Sequence, residues 1–211
     1  AGAISAVFGD SSAQVQSWAA DSANAVGLSS AAYGQLASTV GAQLQNMGVD
    51  QAAAASQTNE LITMGADLAA TFGGTTADAV SALGAALRGE ADPAERYGLA
   101  LNQTAVKAQM AADGTDELTG SAATAARAQT LLAMAHEQSA GAAGQFARES
   151  DTAEGSAQRA AASTENAAAA IGQGLLPAYT ALQGVLMSVG QWMQQNSTLV
   201  LVLGGVLGGL A

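Results

Sequence analysis

Nearly half of the residues are apolar, 49%, yet aromatic residues make up only 4%, so much of the apolar content is alanine. Alanine enters a helix with no loss of side-chain entropy, which gives it the best helix propensity, but its single methyl buries little area. Such a chain forms helices readily and thick cores poorly. Slender bundles, coiled coils and stacked helices suit this balance better than a sandwich or a doubly wound sheet. Two prolines and no recurring strand alternation or hairpin signal agree with it. The expected class is all-α, without β-sheet: short, bundle-like helices followed by a long amphipathic one.

The capping residues divide the first part. Ser11 or Ser12 starts a helix that runs to about Val26 and stops at Gly27. Ser29 caps the next, to Met47, and Asp50 a third, to about Phe72, with Leu61, Met64, Leu68 and Phe72 on one stripe. Gly73-Gly74 break the pattern, and Thr75 or Thr76 caps a helix to about Arg88. Asp92 before Pro93 reads as an N-cap followed by proline in the first helical position. A further helix is expected from Asn102 to Ala112. The first ten residues read as a short helical piece or a frayed end. Residues 1–115 are therefore expected to form a multi-helix segment.

From residue 116 to 198 the only proline is Pro177, and the stretch reads as one long amphipathic helix, or two in series, kinked near 172–177. Its second half carries Ile171, Leu175, Ala178, Leu182, Leu186, Val189 and Met193, at steps of 4, 3, 4, 4, 3 and 4, a heptad-like seam for a partner helix. From residue 166 to 211 there is no charge at all. A helix in water normally carries charge on its outer face, so this stretch is expected to meet protein or lipid around much of its circumference. Residues 199–211, LVLVLGGVLGGLA, start a hydrophobic Gly-rich segment. Thirteen residues fall short of the roughly 20 that span a bilayer. The Gly204-Gly205 and Gly208-Gly209 pairs repeat at four residues, as in close helix contacts in membranes or in a flexible hinge. The run ends in mid-pattern and residue 1 is alanine, so the chain is expected to continue at both ends.

Chemistry is sparse. The formal charge is −11, and the six bases (Arg88, Arg96, Lys107, Arg127, Arg148, Arg159) are scattered singly, so direct nucleic-acid binding is not expected. Without cysteine there is neither a disulfide nor a thiolate metal site. The single His136 sits mid-helix and reads as structural. No nucleophile elbow, phosphate loop or pair of carboxylates in contrasting surroundings is present. No catalytic, cofactor-binding or metal-ligating residue is expected, and no enzymatic activity. Asn102-Gln103-Thr104 and Asn196-Ser197-Thr198 match the glycosylation pattern, which is common by chance.

The order of segments resembles the core region of tail tape measure proteins of long-tailed phages and prophages. The carrying pieces are Asp21-Ser22-Ala23-Asn24-Ala25-Val26 with Gly27-Leu28-Ser29, Met47-Gly48-Val49-Asp50, and Leu61-Ile62-Thr63-Met64-Gly65-Ala66-Asp67-Leu68-Ala69. They continue with Ala82-Leu83-Gly84-Ala85-Ala86-Leu87-Arg88-Gly89-Glu90, then Arg96-Tyr97-Gly98-Leu99-Ala100-Leu101-Asn102. Glu137-Gln138-Ser139-Ala140-Gly141, Gln145-Phe146-Ala147-Arg148 and Ile171-Gly172-Gln173-Gly174-Leu175-Leu176-Pro177-Ala178 complete the set. The likeness covers roughly residues 8 to 195. It implies a structural protein of the virion that sets tail length inside the tail tube and leaves during genome delivery. It also implies self-association in several parallel copies, with a trimer as the stoichiometry to test. The other implied partners are tail tube and distal tail proteins, tail assembly chaperones, and the host membrane through the C-terminal segment. The implied location is the lumen of the phage tail, after synthesis in the host cytoplasm. Two alternatives stay open: a secreted helical interaction protein, whose Trp-x-Gly turn is absent at both Trp18 and Trp192, and a helical pore-forming protein.

Overall fold

Alanine content and capping residues together produce an all-α chain. In the computed structural model, residues 2–149 and 152–196 are described, with only the backbone of Ala153 among them, and no strand occurs in this set. The helices are α1 (Gly2–Phe8), α2 (Ser12–Val26), α3 (Ser30–Asn46), α4 (Gln51–Phe72), α5 (Thr76–Arg88), α6 (Asp92–Glu95), α7 (Gln103–Ala112), α8 (Gly120–Ser139), α9 (Gln145–Arg148) and α10 (Ala153–Gln195). The chain divides into two units, residues 1–166 and 167–211. The expected hydrophobic segment at 199–211 lies outside the described residues.

The caps work as their chemistry requires. The Ser29 hydroxyl accepts from Ala32 N–H, the Asp50 carboxylate from Ala52 and Ala53, and Asn102 from Ala105. Thr75 and Asp78 close a reciprocal capping box on α5, satisfying donors that the first helical turn leaves unpaired. Gly27 ends α2 in the left-handed region, φ 68°, where a side chain would be strained. Asp92 departs from expectation. Ala91 takes the cap position without a side-chain bond, and Asp92 lies inside α6, where its charge still faces the positive helix end.

α1 is a core element rather than a frayed end. Ile4 and Phe8 are buried, and Phe8 joins one cluster with Val15, Tyr33, Leu44, Leu61, Ile62, Leu83, Leu87 and Leu101. Small residues let the helix axes approach. A methyl on Gly41 of α3 would run into the Phe8 ring, and one on Gly65 of α4 would stand 2.5 Å from Val80 Cγ2 of α5.

The multi-helix unit also extends past the boundary expected at residue 115. Ala128, Leu131 and Ala135 of α8 belong to the same buried cluster, as do Ala142 and Phe146. The stretch expected as one helix, or two in series, is interrupted after Ser139. A turn at 140–144, with Gly144 at φ 75°, and the single turn α9 come before α10. The physical reason is tertiary: Phe146, 4% exposed, is worth more in the core than in a solvated helix. α10 continues through Pro177 without a break.

The glycines give a test with opposite signs. Gly65→Ala is expected to destabilise the first unit by about 1–3 kcal/mol through overpacking against Val80, measured by urea denaturation. Gly190→Ala, with nothing within 4 Å, is expected to stabilise α10 by up to about 1 kcal/mol, read as slower amide exchange along that helix.

Candidate functional site

The place where the first unit gathers chemistry-bearing side chains is a cleft of about 440 Å³ between α4 and the end of α8. Asn59, Glu60, Thr63, Asp67, His136 and Ser139 line it. An aspartate, a histidine and a serine in one cleft invite a nucleophilic reading, so their bonding matters. The Asp67 carboxylate accepts from the backbone N–H groups of Gly144 at 2.8 Å and Phe146 at 3.0 Å. The Ser139 hydroxyl donates to the His136 carbonyl at 3.2 Å rather than to an imidazole nitrogen. His136 itself is exposed. The polar atoms of Asp67 and Ser139 thus serve the backbone, and no base–nucleophile pair is assembled. Among the described residues no group of three or more His, Cys, Asp or Glu side chains is placed to hold a metal ion.

Of the six bases, Lys107 and Arg127 come to line one pocket together with Asp116. Among the described residues the ion pair present joins Arg88 Nε to Glu90 Oε1 at 3.5 Å, both exposed. Arg96 and Arg159 lie over the rings of Tyr97 and Phe146, 5.6 and 5.0 Å from the centroids. Each is a single contact.

Burial perturbs the tyrosines of the first unit. Tyr33 donates its hydroxyl to Asn59 Oδ1 at 2.8 Å, and desolvation pushes its pKa well above the ordinary tyrosine range. Burial also raises Tyr97; neighbouring Arg96 offsets part of this and Asp78 adds to it. Both side chains are core members, so the shifts report packing.

The second candidate is the part of α10 in the second unit. From residue 167 to 195 every residue except Gly184 is exposed. The exposed side chains include Ile171 at 65% and Leu186 at 62%, along with Leu175, Tyr179, Leu182, Val189, Trp192 and Met193. At 3.6 residues per turn the seam residues fall on one face, with Tyr179 and Trp192 at its two edges. The opposite side is Gln173, Thr180, Ser188, Gln191 and Gln195, interrupted by Leu176 and Met187. This part of the helix, residues 167–195, is amphipathic without a single charge. Each large seam side chain, Ala178 excepted, would contribute about 1.5–3 kcal/mol on full burial, so the face is costly to leave in water. Among the described residues no helix is long and apolar enough to cross a membrane.

The seam was legible from its spacing. The Asp67 bonds were not, because they join residues far apart in sequence. Compared with protein families, curated proteins and solved structures, the chain matches none of them.

Tyrosine burial sets an alkaline limit on stability. The unfolded chain loses its tyrosine protons near pH 10, whereas folded Tyr33 keeps its own to higher pH. Stability is therefore expected to be intact below about pH 10 and to fall as pH rises beyond it. Tyr33→Phe should shallow that decline while costing about 1 kcal/mol at neutral pH through the lost bond to Asn59. Urea midpoints measured from pH 7 to 11 in both proteins check this; parallel curves would refute it.

Proposed function

We propose that the chain is the core helical region of a tail tape measure protein, a structural component of a long-tailed phage virion without enzymatic activity. The observation that carries this reading is the combination of the ordered segment likeness with an exposed, uncharged helical seam at 171–193. A ruler works by converting chain length into distance, and a helix does so at about 1.5 Å per residue. Alanine faces keep such helices thin enough for several copies to share a tube. The seam supplies the contact between copies, a trimer in the form to be tested first, and with the tail tube and distal tail proteins. Assembly chaperones cover it before the tail forms. The charge of −11 lies entirely before residue 166, and an acidic surface does not hold passing DNA. On genome delivery the protein leaves the tail lumen, and its uncharged C-terminal part meets the host membrane.

A second reading, a membrane-active helical protein outside any virion, is favoured by Tyr179 and Trp192 at the edges of the apolar face, where amphipathic rings sit at a lipid interface.

Two measurements test these readings. Removing 14 residues, four turns, from the α10 part of the full-length protein is expected to shorten the assembled tail by about 21 Å for an extended helical ruler. Unchanged tail length in electron micrographs would defeat the ruler. In a Trp18→Phe background, Trp192 emission that shifts to the blue with zwitterionic lipid vesicles supports membrane contact. An unshifted spectrum removes it from the proposal.

A further inference from the structure

One pocket of the first unit holds positive charge that the fold does not use. It lies between α7, the connection at 113–119 and the first half of α8, with a volume of about 590 Å³, a size that admits a small molecule. Val106, Met110 and Leu118 give it an apolar side, and Lys107, Arg127 and Asp116 bring charge to it. Val106 and Met110 are buried, whereas Leu118 is 44% exposed.

The other four bases each have a partner. Arg88 pairs with Glu90, Arg96 and Arg159 lie over aromatic rings, and Arg148 donates to Gln145 and to the Ala143 carbonyl. Among the described residues Lys107 and Arg127 have no ion pair, hydrogen bond or ring contact, and these two share the pocket. Asp116 lines it without pairing with either. Two cations and one carboxylate leave a single positive charge beside apolar surface. An anionic head with an aliphatic tail answers both: the head takes charge-assisted bonds and the tail covers Leu118. A guanidinium fork matches a carboxylate in shape. A multiply charged anion would instead meet Asp116 inside a chain of net charge −11.

We propose that this pocket binds a small monocarboxylate with an aliphatic tail. Arg127 and Lys107 hold the carboxylate, and Val106, Met110 and Leu118 take the tail. The site is separate from the 171–193 seam and does not rest on the tape measure reading. The full chain labelled with carbon-13 at its six methionine methyls tests it at pH 7. Met110 reports the pocket, Met187 and Met193 report the exposed part of α10, and Met64 and Met134, packed against the core, report that the unit is folded. Octanoate is expected to shift the Met110 signal to saturation, and octylammonium, with the same tail and the opposite charge, is not. Arg127→Gln should weaken octanoate by about tenfold and Lys107→Gln should weaken it as well. Asp116→Asn should tighten it. Lys107 and Asp116 are exposed, so those two variants decide if Arg127→Gln disturbs Met64 or Met134. The site is refuted if Met110 does not saturate, or if octylammonium shifts it equally. Shifts confined to Met187 and Met193 would mean adsorption on the seam and would also refute it, as would unchanged affinity in the Lys107 and Asp116 variants.

Discussion

Close approach of helices through glycine and alanine is the constraint on which the first unit rests. With so few large side chains, the core cannot be filled by bulk, and backbones must come near enough for methyl groups to touch. Gly65 under Val80 and Gly41 under the Phe8 ring are where this is tightest. The large residues then concentrate at the remaining gaps, with Phe8, Tyr33, Leu44, Leu61, Ile62 and Leu83 almost fully buried. Packing at interior density makes each such contact sensitive to a single added carbon.

The two units solve the hydrophobic problem in opposite ways. Through residue 166, apolar side chains are shared among helices and the charges, the buried Asp67 apart, are left toward the surface. Beyond it, the apolar face of α10 stands exposed, and no charge on the other side keeps the helix in water by itself. A seam of leucine, isoleucine, valine and methionine flanked by Tyr179 and Trp192 is a surface whose stability depends on what covers it. This is why the proposed function is one of assembly. The polar groups that could suggest chemistry, Asp67 and Ser139, are instead spent on backbone bonds.

How much was legible in sequence varied with the range of the interaction. The caps Ser29 and Asp50, Thr75 as one of two alternatives with Thr76, and the stop at Gly27 act within a few residues, and the structure has them at their expected places. The seam at 171–193 was likewise visible, because helical spacing fixes which residues share a face. The continuation of the compact unit past residue 115 was not. It depends on Leu131, Ala142 and Phe146 finding the cluster built by α1–α5, and a run of alanines carries no local mark of that contact. The role of α1 was missed for the same reason: two apolar residues, Ile4 and Phe8, look marginal in sequence yet fill a central position.

Residue order by itself determined that this protein is helical, where most of its helices start and stop, and that residues 166–211 lack charge. These follow from propensity, capping and composition, which act locally. Only the tertiary structure decided where a helix-prone stretch is denied continuity. At 140–149 the local preference of an alanine-rich segment loses to two hydrogen bonds accepted by Asp67 and to burial of Phe146, partners that lie some 75 to 80 residues away in sequence or across the core. Local chemistry sets what a segment would do alone, and long-range burial sets what it does in the fold.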